Sequence, residues 1–210
     1  MAGRLMLITF SGLDGAGKST LTRLLKERLE REGAAVTVAH MYRDVGVYAF
    51  CKSALERLTR RRGARGVWGG VARGLAWNKA LRVAAYPLDL LLFLAYRLYV
   101  ERLRGRVLIM DRYFYDTLVD VSAGGRAGRA ARLLARLTPL PSVPVLLDIS
   151  AGQAFARKGE HTVAYLERRR EAYVRVFPNH GRGLVLEAGG DIAGNLRTVE
   201  AAIHERRARR

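Results

Sequence analysis

The chain has 210 residues, of which 50% are hydrophobic and 27% charged, so it is long enough for one α/β domain with a sizeable core and too short for two. Its formal net charge of +18 predicts a surface that attracts nucleotides, nucleic acid or acidic membranes. Its single cysteine, Cys51, excludes an intrachain disulfide and a cysteine metal cluster. We find neither a signal-peptide pattern nor an apolar run long enough for an integral membrane segment, and we expect a cytoplasmic protein.

Apolar strand-like runs alternate with helical patterns along the chain. Such alternation is typical of a parallel sheet with helices on both faces. We predict strands at Leu5–Phe10, Ala35–His40, Val107–Met110, Val143–Ile149 and Gly183–Leu186. Leucines spaced by three or four residues predict a helix over Gly17–Glu32, which Gly33 ends, and a closing helix is predicted over Ile192–Arg206. The expected fold is a single α/β domain over residues 1–210, a three-layer sandwich with a five-stranded parallel sheet.

A long connection, about residues 42–106, separates the second and third predicted strands, and we expect it to be a mostly helical insertion. Its part Arg57–Arg82 has eight basic residues, no acidic residue and five glycines. We therefore expect a flexible basic turn between two helices. We predict that this segment is the most mobile part of the chain apart from the C-terminal tail.

A glycine-rich loop lies between the first predicted strand and the first predicted helix. Residues 12–19 match the pattern G-x-x-x-x-G-K-[ST] in the context that this phosphate-binding motif requires. Lys18, which we expect in an exposed loop, can bridge the β- and γ-phosphates, and the Ser19 hydroxyl can ligate Mg²⁺. We predict that MgATP is bound by Gly12, Asp14, Gly15, Ala16, Gly17, Lys18, Ser19 and Thr20.

The loop alone does not separate kinases from other nucleotide hydrolases. A GTPase requires a guanine-reading Asn-Lys-x-Asp run, whereas here Asn78-Lys79 is followed by Ala80 and Leu81. A mechanical ATPase is normally longer. A nucleotide or small-molecule kinase is therefore the best class.

Four stretches carry a resemblance to a known family. They are the loop Phe10–Thr20, the run Leu92–Arg97, the triplet Asp111-Arg112-Tyr113, and the stretch from Asp148 through Arg157-Lys158 to Tyr173. Together they resemble thymidylate kinases and related nucleoside monophosphate kinases. The resemblance extends, with gaps, over nearly the whole chain. It implies a P-loop kinase fold and the reaction MgATP + dTMP → ADP + dTDP. It also implies a possible homodimer.

The resemblance implies roles for residues on the acceptor side. Asp14 would hold a sugar hydroxyl of the acceptor, Phe93 would stack on its base, and Arg97, one helical turn further on, would read the edge of that base. Arg112 would contact the acceptor phosphate through two guanidinium nitrogens. Arg43 would contact the same phosphate.

The resemblance also implies roles on the metal and lid side. Asp111 would orient Mg²⁺ and its waters, together with Ser19. A basic lid at about residues 150–165 would bring Arg157 and Lys158 over the γ-phosphate, where catalysis depends on positioning and charge neutralisation. The predicted catalytic residues are Lys18, Asp111, Arg112 and Arg157.

The chain departs from the family pattern where the acceptor is recognised. Arg43-Asp44-Val45-Gly46 lacks the family's proline, and the stretch Thr117–Val121 lacks the family's Tyr and Gln. Another nucleotide, a nucleoside or a sugar-like metabolite therefore stays open as the acceptor. A hydroxyl acceptor would require a carboxylate base, for which Asp14, Asp116 and Asp120 are candidates.

A protein that binds nucleotides or polyanions without turnover is the non-enzymatic alternative. The basic segment Arg57–Arg82 is its only support, and the aromatic residues there are limited to Trp68 and Trp77. No nucleic-acid-binding module is recognisable. We therefore expect a small-molecule acceptor, and we do not expect a nucleic-acid partner.

Overall fold

The computed structural model of the chain describes residues 6–44, 79–122, 128–177 and 183–209. Its five parallel strands form one sheet in the order β2-β3-β1-β4-β5. The strands are β1 (Leu7–Gly12), β2 (Val36–His40), β3 (Val107–Asp111), β4 (Val143–Asp148) and β5 (Leu184–Glu187). The helices are α1 (Lys18–Arg31), α2 (Met41–Asp44), α3 (Lys79–Leu98), α4 (Phe114–Ser122), α5 (Gly128–Leu137), α6 (Ala151–Lys158), α7 (Val163–Val176) and α8 (Ile192–Ala208). The predicted α/β class and the five-stranded parallel sheet flanked by helices are confirmed.

Each predicted strand is present, with bounds that differ by at most two residues from the prediction. β1 shows the largest difference, because it begins and ends two residues later than predicted and continues through the buried Ser11 to Gly12. All six residues of β1 are buried, as expected for the central strand of a parallel sheet. α1 ends one residue before the predicted Glu32, and Gly33 takes the left-handed conformation with φ 81° just beyond it.

The sheet order creates a switch point at the carboxyl end of β1. The chain crosses from β1 to β2 and β3 on one side and to β4 and β5 on the other. In open α/β sheets, ligands bind in the crevice outside the strand ends at such a point. Here β1 ends at Gly12 and β3 ends at Asp111, so the glycine-rich loop and the Asp111–Tyr113 triplet meet at one edge.

Gly12 marks the closest approach of two strands. Its φ is 137°, and a Cβ atom at this position would lie 2.4 Å from the Leu147 carbonyl oxygen of β4. No other residue type fits between these backbones. The same φ turns the chain out of the sheet and into the loop that precedes α1.

An aromatic cluster joins α3 to the segment after β3. Phe93 contacts Tyr113 and Phe114 edge to face, with ring centroids 5.5 and 5.3 Å apart. Tyr86 contacts Phe114 in the same manner. Phe93 is fully buried among these rings, and its stacking role stays a prediction from the resemblance.

Much of the insertion that was predicted to be helical lies outside the described residues. This includes the segment Arg57–Arg82 as far as Asn78, so its predicted mobility stays a prediction. α3 follows from Lys79, and a π-helical turn, Tyr99–Leu103, continues it towards β3. None of the helices in the described ranges has the combination of length and hydrophobicity that a bilayer span requires.

We predict that Phe93→Ala lowers the free energy of unfolding by about 3–5 kcal/mol, because it removes a fully buried ring from the aromatic cluster. The matched control is Phe155→Ala on α6, whose side chain is 43% exposed. That change should cost less than about 1 kcal/mol. Chemical denaturation measures both values, and equal losses in the two variants would contradict the core role of Phe93.

Candidate active site

The glycine-rich loop between β1 and α1 has the backbone conformation of a phosphate cradle. Gly15 and Gly17 have φ values of 89° and 86°, which only glycine adopts readily. Gly17 occupies the N-cap position of α1 and supplies no side-chain cap. The first N–H groups of α1 therefore lack a side-chain acceptor from the cap, and together with the helix dipole they provide an anion site.

Lys18 is buried inside this loop, so the expectation of an exposed lysine is wrong. Its side chain folds back, and Nζ donates hydrogen bonds to the Gly12 and Leu13 carbonyl oxygens at 2.9 and 2.8 Å. Burial and the positive charge of Arg112 lower the pKa of Lys18, while nearby carboxylates oppose this shift. A phosphate in the cradle would take the place of the two carbonyls as partner of the ammonium group.

Ser19 and Asp111 meet at the edge of the loop. The Ser19 hydroxyl donates a 2.7 Å hydrogen bond to Asp111 Oδ2, which joins the first turn of α1 to the end of β3. Within the described ranges, no group of three or more His, Cys, Asp and Glu side chains could hold a metal ion. One hydroxyl and one carboxylate nevertheless fit Mg²⁺, which keeps several waters and uses few protein ligands. Thr20, the next residue of α1, is exposed.

Arg112 is the one non-glycine residue with a positive φ in the described part of the chain, at 73°. Its backbone N–H donates to the Phe10 carbonyl oxygen at 3.0 Å. One guanidinium nitrogen forms a short ion pair with Asp14 of the loop, and another lies 3.4 Å from Asp116. The fold thus directs a planar, permanently charged donor group towards the loop.

Asp14 is half-exposed and lies between two cations. Its carboxylate pairs with Arg112 and lies 3.6 Å from Lys18 Nζ. Burial acts to raise the pKa of Asp14, but Arg112, Lys18 and Arg169 outweigh it and hold the pKa below its usual value of 3.8. The stabilisation from these pairs is therefore present at neutral pH and is lost as the pH falls from 3.8 through the lowered pKa.

Asp116 is a buried carboxylate whose connection to Arg112 the sequence did not predict. It is 1% exposed and accepts hydrogen bonds from the Ser11 hydroxyl at 3.3 Å, the Tyr113 N–H at 3.1 Å and the Tyr173 hydroxyl at 2.8 Å. Burial raises the pKa of Tyr173 well above its usual value, so its hydroxyl stays protonated and donates. The one signal in the sequence for this contact was the position of Asp116, an acidic residue in the first turn of the helix that follows Arg112.

A second charged pair lies between α4 and α7. Arg169 forms a short ion pair with Asp120, donates to the Tyr165 hydroxyl at 3.1 Å and lies 5.9 Å from the Tyr173 ring centre. Both charged side chains are less than one-fifth exposed. Tyr173 in turn donates to Asp116, which contacts Arg112, so this pair adjoins the Arg112 contacts. Asp120 lies in the stretch Thr117–Val121, which lacks the family's Tyr and Gln.

The segment predicted as a basic lid is largely helical. Arg157 and Lys158 lie in the last turn of α6, which Gly159 ends with φ 65°. Arg157 Nη1 donates to the Gly15 carbonyl oxygen at 3.0 Å, so this cation already lies on the glycine-rich loop. Only residues 159–162 separate α6 from α7. Arg170 of α7 forms a two-point pair with Asp148 at the end of β4, at 2.6 and 2.7 Å.

A pocket of about 80 Å³ adjoins the loop on the β4–β5 side. It lies between the start of α1, the last turn of α6 and the start of α8. Its lining includes Ala16, Gly17, Leu21, Arg157, Gly189 and Ile192. Ligands of open α/β sheets bind outside the carboxyl ends of the strands, and this rule could have indicated the region. No motif in the sequence marks these residues.

The described contacts of Phe93 and Arg97 are with residues outside the glycine-rich loop. Arg97 points to Glu101, with Nε 3.0 Å from Oε2, and this glutamate is buried. Phe93 lies in the aromatic cluster described above. Arg43 lies in α2, but its side chain is outside the described residues. The roles of these three residues stay predictions.

The sequence is similar to curated thymidylate kinases over most of its length. It is 31% identical over 159 residues to a probable thymidylate kinase of Thermococcus onnurineus, with 72% of this chain and 70% of the relative covered. It is 29% identical over 213 residues to a thymidylate kinase of Xanthomonas campestris pv. campestris, with 94% and 82% covered. The thymidylate kinase of Chlamydia abortus is 26% identical over 223 residues, with 95% and 96% covered. No protein-family model matches the chain.

The five-stranded parallel sheet and the site geometry agree with the P-loop kinase fold that the resemblance implied. The chain belongs to the thymidylate kinase family.

Proposed function

We propose that the protein is an ATP-dependent nucleoside monophosphate kinase that transfers the γ-phosphoryl group of MgATP to dTMP, giving ADP and dTDP. The observation that carries the proposal is the convergence of three charged groups on one loop. Lys18 lies inside the loop, Asp111 contacts Ser19 at its end, and Arg112 pairs with Asp14. A phosphate donor and a phosphate acceptor therefore have cationic partners within one crevice.

On the donor side, the loop amides, Lys18 and Arg157 would hold the triphosphate. Arg157 requires little movement for this role, because its guanidinium already contacts the loop at Gly15. Ser19 and Asp111 would hold Mg²⁺, which supplies charge neutralisation at the phosphoryl group when bound. Positioning and charge are the main contributions that phosphoryl transfer requires from a protein.

On the acceptor side, Arg112 would hold the monophosphate in line with the γ-phosphate, and Arg43 would assist. Asp14 would hold a hydroxyl group of the acceptor, and Phe93 and Arg97 are assigned to its base by family resemblance alone. The acceptor phosphate oxygen is already a nucleophile, so this reaction needs no general base. The site agrees with a reaction that needs no base, because its carboxylates already have partners. Asp14 and Asp120 pair with arginines, and Asp116 accepts a hydrogen bond from the Tyr173 hydroxyl.

A hydroxyl acceptor, such as a nucleoside or a sugar-like metabolite, is less well supported. It would require a carboxylate that can take a proton. The lowered pKa of Asp14 makes it a weaker base. Asp116 accepts hydrogen bonds from four residues and is almost fully buried, and Asp120 is paired with Arg169.

Release of ADP by the purified protein tests the proposal. We expect dTMP to stimulate ADP release and nucleosides and sugars not to do so, and we expect EDTA to abolish the stimulation because the site uses Mg²⁺. Stimulation by a nucleoside alone would favour the hydroxyl-acceptor alternative. No stimulation by any acceptor, together with tight nucleic-acid binding at physiological salt, would favour a non-enzymatic binding protein.

We predict that Lys18→Ala lowers kcat by about 10²–10³-fold, because it removes a preorganised charge at the transferring phosphoryl group. Lys18 is buried, so its loss can also affect the loop, and thermal unfolding must be measured in parallel. Lys26→Ala, on the exposed side of α1, is the matched control and should leave kcat unchanged. Retention of near-wild-type turnover by a folded Lys18→Ala protein would contradict the phosphate-loop assignment.

We predict that dTMP is used with only weak preference over dUMP and other pyrimidine monophosphates. The family's Tyr and Gln are missing after Asp111-Arg112-Tyr113, and strong discrimination requires buried polar groups that a wrong base leaves unpaired. The ratio of kcat/KM values should fall within about tenfold, roughly what one methyl group contributes in an apolar pocket. Strict dTMP selectivity would show that another segment replaces the missing wall.

We also propose a homodimer formed through α3. Leucines on this helix and the following π-helical turn are exposed at helical spacing, which is unusual for a surface without a partner. They are Leu88, Leu91, Leu92, Leu98 and Leu103. A helix face of this kind can pair with its own copy across a two-fold axis.

We predict that light scattering gives a dimer mass for the wild type and a monomer mass for Leu91→Arg at the same concentration. Leu91 is 62% exposed, so its loss should not affect the core of the subunit. Leu140→Arg, which is 49% exposed but lies outside α3, is the control and should stay dimeric. A monomeric wild type at micromolar concentration would contradict the proposal.

A further inference from the structure

Asp116 is a buried carboxylate whose hydrogen bonds connect several parts of the fold. A carboxylate that is 1% exposed is costly unless donors surround it, and Asp116 has donors from four different residues. Those donors come from β1, from the segment after β3 and from α7. The contacts therefore join three parts of the fold at the one residue that faces Arg112 from the protein interior.

The backbone contacts of Asp116 fix the chain directly after Arg112. Asp116 is the third residue of α4, and its side chain accepts the Tyr113 N–H at 3.1 Å. Its own N–H donates to the Tyr113 carbonyl oxygen at 3.0 Å. This is one half of a capping box, which sets the direction in which a helix begins.

Arg112 requires such a constraint. A non-glycine residue with φ 73° has a strained backbone, and strain of this kind persists only where the surroundings over-determine the backbone. The Phe10 carbonyl oxygen holds the Arg112 N–H on one side, and the Tyr113 capping contact holds the chain on the other. Asp116 thus constrains both the backbone and the guanidinium group of the same arginine.

The two carboxylates that hold the Arg112 guanidinium differ in their access to solvent. The Asp14 side chain is 36% exposed, whereas that of Asp116 is 1% exposed. An incoming phosphate can displace Asp14 from the solvent side but cannot reach Asp116. We propose that Asp116 is a positioning residue. It keeps the Arg112 guanidinium directed at the acceptor phosphate when that phosphate displaces Asp14. This inference rests on the proposed function, in which Arg112 binds that phosphate.

The first test is Asp116→Asn, which keeps the shape of the side chain and removes its charge. We expect KM for the acceptor monophosphate to rise at least tenfold and KM for ATP to change less than twofold. The matched control is Glu200→Gln, which changes a partly buried carboxylate paired with Arg28 between α1 and α8 and should change neither constant. Equal rises in both KM values for Asp116→Asn would indicate general damage and overturn the proposal.

A double-mutant cycle with Arg112→Ala separates positioning from direct contact. If Asp116 acts through Arg112, Asp116→Asn should change acceptor affinity less than twofold when Arg112 is already absent. Calorimetric titration of the non-reacting protein with the monophosphate, without ATP, gives that affinity. Additive effects of the two changes would show that Asp116 acts independently of Arg112.

Two further measurements keep the proposal testable in every case. If Asp116→Asn does not fold, Tyr173→Phe removes one donor to Asp116 and should raise the acceptor KM by a smaller factor in the same direction. If no monophosphate is a substrate of the wild type, the proposed function fails, and crystal structures of the wild type and a folded variant decide the positioning role. A left-handed Arg112 with an unmoved guanidinium in the variant would overturn it.

Discussion

Two parallel strands approach each other at Gly12 so closely that no side chain fits between them. This contact ends β1 and turns the chain out of the sheet, and the geometry of the site follows from it. The loop then returns to the same edge as the first turn of α1, which brings Ser19 to Asp111 at the end of β3. The site is thus an outcome of strand pairing, because β3 and β4 are the two neighbours of β1.

Charge balance is the second requirement at this edge. A continuous series of contacts runs from Asp14 through Arg112 and Asp116 to the neutral Tyr173 hydroxyl, and Arg169 lies beside the Tyr173 ring. Such networks are favourable only when every member has a partner. The +18 net charge of the chain contrasts with this local balance, so the positive surface attracts anions while the site itself holds its arginines in defined positions.

The sequence predicted the sheet from its alternating patterns and the phosphate loop from a motif with a fixed local geometry, whereas a joint role of Ser19 and Asp111 was implied only by the family resemblance. It did not predict that Lys18 is buried or that Phe93 packs against Tyr113 and Phe114, because burial depends on contacts between distant segments. Asp116 was considered only as a possible base. Its connection to Tyr173 crosses 57 positions, and no local pattern contains that information.

The buried position of Lys18 has a consequence for chemical labelling. The chain has 32 arginines but only five lysines, so an amine-selective reagent finds few targets. Lys18 has a lowered pKa, which increases the reactive neutral fraction of its amine, yet its Nζ is enclosed by two carbonyl groups of its own loop. Acylation of this one amine therefore requires the loop to open, and the labelling rate would report the frequency of that opening.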